Sequence, residues 1–101
     1  MKSLFIGLFT IAALTTSVQA GKIKELLIET DDAINHEMYD YADLTVESIS
    51  NHDLQMTSDG VQVVADVVTR NPHTGRLGNW TCTVSFTKIN ESMEYKDIDC
   101  R

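Results

Sequence analysis

Between residues 22 and 42 apolar side chains recur every third or fourth position, and after residue 43 they recur every second. The first stretch, KIKELLIETDDAINHEMYDYA, lacks Gly and Pro and sets Ile23, Leu27, Ile34, Met38 and Tyr41 at helical spacing, with Leu26 and Thr30 filling in. Glu29, Asp31, Asp32, Glu37 and Asp40 fall on the opposite surface. The pattern predicts an amphipathic helix that buries its stripe against another element. Lys22 and Lys24 open it, where the helix dipole disfavours cations, so its first turn is expected to fray.

The period-2 region divides into strands at its turn residues. Asp59-Gly60 reads as a two-residue hairpin turn, because both residue types tolerate positive φ. A turn there sets Met56 opposite Val63, Leu54 opposite Ala65 and His52 opposite Val67, with Leu44 and Val46 on the same face. That register sorts most apolar side chains to one side, and such sorting is what specifies a register. Trp80, Cys82, Val84 and Phe86 then alternate with Thr81, Thr83, Ser85 and Thr87, behind the loop RNPHTGRLGN. Pairing Val67 with Trp80 brings Ala65 against Cys82 and Val63 against Val84. Setting Cys82 opposite Cys100 pairs Val84 with Ile98, Phe86 with Lys96 and Ile89 with Met93, around a turn Asn90-Glu91-Ser92. The predicted fold is α+β: an N-terminal amphipathic helix packed on a four-stranded antiparallel meander whose outer face is polar.

The segment before the helix changes where this domain is expected to work. MKSLFIGLFTIAALTTSVQA has a positive start at Lys2, an apolar run from Leu4 to Leu14, and small residues at Val18 and Ala20. This is the pattern of a secretory signal cleaved after Ala20, too short in its apolar run to span a bilayer. Residues 1–20 are therefore expected to be a signal peptide and residues 21–101 a single small domain, secreted or periplasmic. So small a domain buries too little surface to be robust without help. Both cysteines remain after cleavage, and export takes them to an oxidising compartment. Seventeen residues intervene between them, unlike a redox C-x-x-C, and His36, His52 and His73 lack metal-ligand spacing. Cys82 and Cys100 are therefore expected to form a structural disulfide.

Charge narrows the partners. The chain carries −7, and loss of Lys2 with the signal makes it −8. Phosphate backbones and anionic membranes are poor partners for it, and a basic protein is a favourable one. The candidate binding residues are Asp31, Asp32, Glu37 and Asp40 on the helix, and Arg70, His73 and Arg76 in the loop after the second strand, the one place where positive groups gather near Trp80. The sequence has no Ser or Cys nucleophile with a plausible base, no calcium loop and no glycine-rich phosphate loop. His52 falls on the apolar face, where Asp53 points away from it, so it reads as a structural histidine. Asn79-Trp80-Thr81 and Asn90-Glu91-Ser92 match the N-glycosylation pattern, the first beside a strand with a core Trp.

Helix, meander and C-terminal disulfide together resemble the cystatin-like architecture. QVVAD, residues 62–66, is similar to the cystatin inhibitory motif, with Gly21 opening the processed chain and Trp80 downstream. The register places QVVAD mid-strand rather than at a hairpin tip, and Asp66 stands where that motif has glycine, so the resemblance is one of architecture and no family is assigned. The expected function is a small exported protein-binding domain, non-enzymatic and without a cofactor, of the kind that inhibits or neutralises a basic partner. The alternatives are an exported domain for a small ligand or metal, and a structural protein.

Overall fold

The computed structural model describes residues 16–101, with side-chain surroundings from Lys22 onward. The expected signal peptide falls largely on residues 1–15, outside the described residues. The chain forms helix α1 (Thr16–His36), which runs on into a π-helical turn (Glu37–Tyr41), and then four strands. These are β1 (Thr45–Met56), β2 (Gly60–Arg70), β3 (Leu77–Ile89) and β4 (Ser92–Cys100), in one antiparallel sheet of order β1-β2-β3-β4. The helix packs on one face of this meander, the predicted α+β arrangement.

The buried line of the helix is Leu26, Thr30, Ile34 and Met38, each one turn from the next. Thr30 can stand at its centre because its hydroxyl donates to the Leu26 carbonyl at 2.7 Å and leaves no buried donor unpaired. Leu26 and Thr30, expected as filling residues, are thus part of the buried line itself. Ile23 lies at its margin, and Tyr41 leaves it altogether at 76% exposure. The π turn explains Tyr41: an i→i+5 turn takes in an extra residue and rotates the residues after it out of α-helical phase.

β2 is the spine of the core. Val61, Val63, Ala65, Val67 and Thr69 are all buried on its inner face, against Cys82, Val84 and Phe86 of β3. Val67 lies opposite Trp80, Ala65 opposite Cys82 and Val63 opposite Val84, as the alternation predicts. Trp80 donates its indole N–H to Thr69 Oγ1 at 3.0 Å, so the two polar atoms of this inner row satisfy each other. Cys82 faces Cys100 and Val84 faces Ile98, also as predicted, and the disulfide is formed. QVVAD lies within β2, between the core face and the polar face, and not at a hairpin tip.

Two of the three strand registers depart from expectation. The first turn spans Thr57–Gly60, so Met56 pairs with Val61 and Leu54 with Val63, two residues from the predicted partners. A slip of two preserves which face each side chain occupies, so the core survives it. Gly60 takes no positive φ; it is required because a Cβ there would sit 1.9 Å from the Phe86 carbonyl oxygen. In β1, bulges at Glu47 and at Asn51-His52 reset the alternation, so Ile49, and not His52, lies opposite Val67. In β4 a bulge at Lys96 sets Tyr95, and not Lys96, opposite Phe86, and the hairpin closes on the two-residue turn Asn90-Glu91 with Ile89 opposite Ser92. Phe86 gains an edge-to-face aromatic partner at 6.4 Å, and Lys96 keeps its ammonium in water.

Candidate functional site

The seven binding residues expected from the sequence do not form one site. Asp31 lies on the flank of α1 that overlooks β1, and its Oδ1 stands 2.7 Å from His52 Nε2. The bulge that displaces His52 from the ladder aims its ring at the helix, and Asn51 takes a φ of 55° to make that turn. On the other face Asn51 donates to Asp66 Oδ2 at 2.8 Å, and Asp53 accepts from Gln55 at 2.9 Å. His52 therefore has a carboxylate partner, supplied by the helix rather than by its strand neighbours. No hydroxyl or thiol hydrogen-bonds to its ring among the described residues, so the pair has the orienting half of a nucleophilic site without the nucleophile.

The other helix acids go separate ways. Asp40 sits 2.7 Å from His36 Nδ1, one turn back, and Asp32 is exposed. Glu37 is half-buried and lies within electrostatic reach of the Tyr95 phenol. Burial raises the pKa of Tyr95 above its ordinary value, and Glu37, Asp97 and Tyr41 push in the same direction. His36 in turn meets the Tyr41 ring edge-to-face at 6.0 Å. Tyr41 and Tyr95 (76% and 51% exposed) thus lie within electrostatic reach of each other, with Glu37 and Asp97 acting on Tyr95 and Asp40 on the His36 that meets Tyr41. The sequence holds one signal for this grouping that periodicity alone discounts: spacing assigns Tyr41 to the stripe, although a phenol at the end of an acidic helix is equally a surface group.

The positive loop is largely neutralised by its own neighbours. Arg70 Nε lies 3.3 Å from Glu47 and its Nη1 donates to the Gly75 carbonyl. His73 Nε2 is 3.2 Å from Asp43. Asn71 Oδ1 accepts from the backbone N–H groups of His73 and Thr74, which closes the loop as an Asx turn, with Gly75 at φ 77°. Of the three cationic candidates only Arg76 makes no ion pair among the described residues. The expected basic tip is therefore a stapled connection with one free guanidinium.

A feature absent from the expected set lies along the Lys22–Glu29 stretch of α1. An open cleft of about 990 Å³ separates that stretch from the tips of the β1–β2 and β3–β4 hairpins. Its floor is Leu26, Leu54, Met56, Val61 and Met93, and its rim carries Lys22, Glu25, Glu29, Asp59, Lys88 and Glu91. It forms because the helix makes its closest packing from Leu26 onward, while Ile23 is already 38% exposed. Lys22 reaches across to the Glu91 carbonyl at 3.3 Å.

Among the described residues no group of three His, Cys, Asp or Glu side chains is placed to hold a metal ion, and no helix is long and apolar enough to cross a membrane. The disulfide is compatible with an exported chain. Compared with known proteins, the chain matches no family model, no curated protein and no solved structure.

Proposed function

We propose that the chain is a small exported protein-binding domain, non-enzymatic, whose partner is a basic protein that it inhibits or neutralises. The observation that carries this reading is the tyrosine and carboxylate surface of Tyr41, Tyr95, Glu37, Asp40 and Asp97. Aromatic faces beside carboxylates suit Arg and Lys side chains: the ring attracts the cation and the carboxylate fixes it. Tyrosine also contributes contact area at low entropic cost and is enriched at interfaces. The net charge of −7 adds a long-range attraction that speeds encounter with a basic partner.

The test is retention of exported proteins from the source organism on the immobilised domain, at low and high salt, beside a Tyr41→Ala/Glu37→Gln variant. A basic protein held by the wild type, released by salt and not held by the variant supports the reading. Equal retention by wild type and variant overturns it.

A further inference from the structure

The cleft between α1 and the hairpin tips has three properties that together define an occupant. Its floor is apolar and includes two methionines, Met56 at 76% exposure and Met93 half-buried. Methionine is unbranched and polarizable, and surfaces built on it adapt to differently shaped apolar side chains. Four carboxylates, Glu25, Glu29, Asp59 and Glu91, stand on its rim against two ammonium groups, Lys22 and Lys88. Lys22 donates to the Glu91 carbonyl, and Asp59 lies 3.9 Å from Lys96, so the unanswered negative charge of the rim sits on the helix wall. Glu25 and Glu29 lie one helical turn apart on one wall and are exposed, and neither has an ion-pair or side-chain hydrogen-bond partner among the described residues.

From this we infer that the cleft is a docking site for a cationic amphipathic peptide segment of a partner protein. Bulky apolar side chains of the segment rest on Leu54, Met56, Val61 and Met93, and its Lys or Arg residues meet Glu25 and Glu29. An anionic amphiphile is disfavoured by the excess of rim carboxylates, and an enclosed small-molecule site by the open mouth. The inference rests on the reading of a basic partner but uses a different surface, so the two can fail separately.

The test titrates a synthetic helical peptide of leucine and lysine into the isotope-labelled, disulfide-bonded chain and follows amide and methyl signals by NMR. Shifts are expected at Leu54, Met56, Val61 and Met93. The exposed-site variant Glu25→Lys/Glu29→Lys is expected to bind at least about tenfold more weakly. A charge-matched control on the outer sheet face, Asp66→Lys/Asp99→Lys, far along β2 and β4 from the hairpin tips, should change affinity by less than about twofold, since exposed charges more than a Debye length away are screened. Equal weakening by both variants would reduce the effect to net charge and overturn the site. So would shifts confined to Tyr41, Tyr95 and Glu37, which would leave the tyrosine surface standing, and so would tighter binding of decanoate than of the peptide.

Discussion

Asp31 on the helix and His52 in the first strand meet at 2.7 Å, across the seam between the two layers of the fold. Neither is a core residue: their side chains are 41% and 23% exposed. The pair exists because a bulge at Asn51-His52 turns the imidazole out of the ladder and toward α1. It ties the helix to β1 at mid-length.

A double-mutant cycle on Asp31→Ala and His52→Ala, followed by urea unfolding at neutral pH, measures that tie. A coupling of about 0.5–1 kcal/mol is expected, the range for partly exposed pairs. A coupling indistinguishable from zero would mean that packing alone sets the position of the helix.

The disulfide closes a chain segment of sequence separation 18 between two directly paired strand residues. In the chain-entropy model a loop of this size contributes roughly 3 kcal/mol, a large part of the stability of a domain this small. Reduction, or the Cys82→Ser/Cys100→Ser variant, should lower the unfolding free energy by about that amount. Unchanged thermal stability in dithiothreitol would show that the β3–β4 hairpin holds without it.

Gly60 and Gly75 test two different reasons for glycine. A Cβ at Gly60 would meet the Phe86 carbonyl oxygen at 1.9 Å, so β2 and β3 must separate to admit it. At Gly75 the space is open and only the φ of 77° resists a side chain. Gly60→Ala should therefore cost about 3 kcal/mol and Gly75→Ala about 1 kcal/mol by denaturant unfolding. The reverse order would contradict the geometry.

Where the alternation is unbroken the fold is readable from the sequence to the residue, and where a bulge intervenes it is not. Trp80 to Phe86 has one apolar side chain at every second position, so the partners of Trp80, Cys82 and Val84 in β2, and of Cys82 and Val84 in β4, are set by side-chain sorting. β1 has no such regularity: Ile49 belongs to the core only because Glu47 and Asn51-His52 interrupt the ladder, and only Asn51, a residue type tolerant of positive φ, gives a local hint of either interruption. The helix is legible as a helix, but its buried line runs one turn per step through a threonine, and hydrophobicity gives a threonine little weight. The candidate site is the least legible part. Asp31 and Asp40 are recognisable as acidic and Arg70 and His73 as basic, yet their charges are answered by His52, His36, Glu47 and Asp43, pairings that depend largely on tertiary placement. The open cleft leaves no trace in the pattern, since it is made by the separation of three elements.

The Asn90-Glu91 turn has positive φ at both positions, 51° and 69°. Asn tolerates this; Glu does so at a cost, because its Cβ crowds the backbone. Glu91→Gly should raise stability by about 1 kcal/mol, read as a higher denaturant midpoint with an unchanged slope. A fall in stability would mean that the Glu91 side chain makes a contact in solution that outweighs the backbone strain.

Tyr95 makes the stability of the fold sensitive to alkali. Its pKa in the folded chain is raised, first by burial and then by Glu37, Asp97 and Tyr41. In the unfolded chain the phenol returns to its ordinary value of about 10. Between these two values the folded chain holds a proton that the unfolded chain has released. The stabilising contribution is therefore whole below about pH 10 and is lost as pH rises through the folded-state value. Between about pH 10 and the folded-state value, the slope of stability against pH should be shallower in Tyr95→Phe than in the wild type, while the two remain parallel near neutrality. Glu37→Gln should lower the folded-state titration midpoint of the Tyr95 phenol by removing one of the charges that hold it protonated, and this is visible in its ultraviolet titration. If the wild type and Tyr95→Phe lose stability along the same alkaline slope, the phenol is as well solvated in the folded chain as in the unfolded one. The tyrosine and carboxylate surface would then lack the close association that the proposed binding of a basic partner requires.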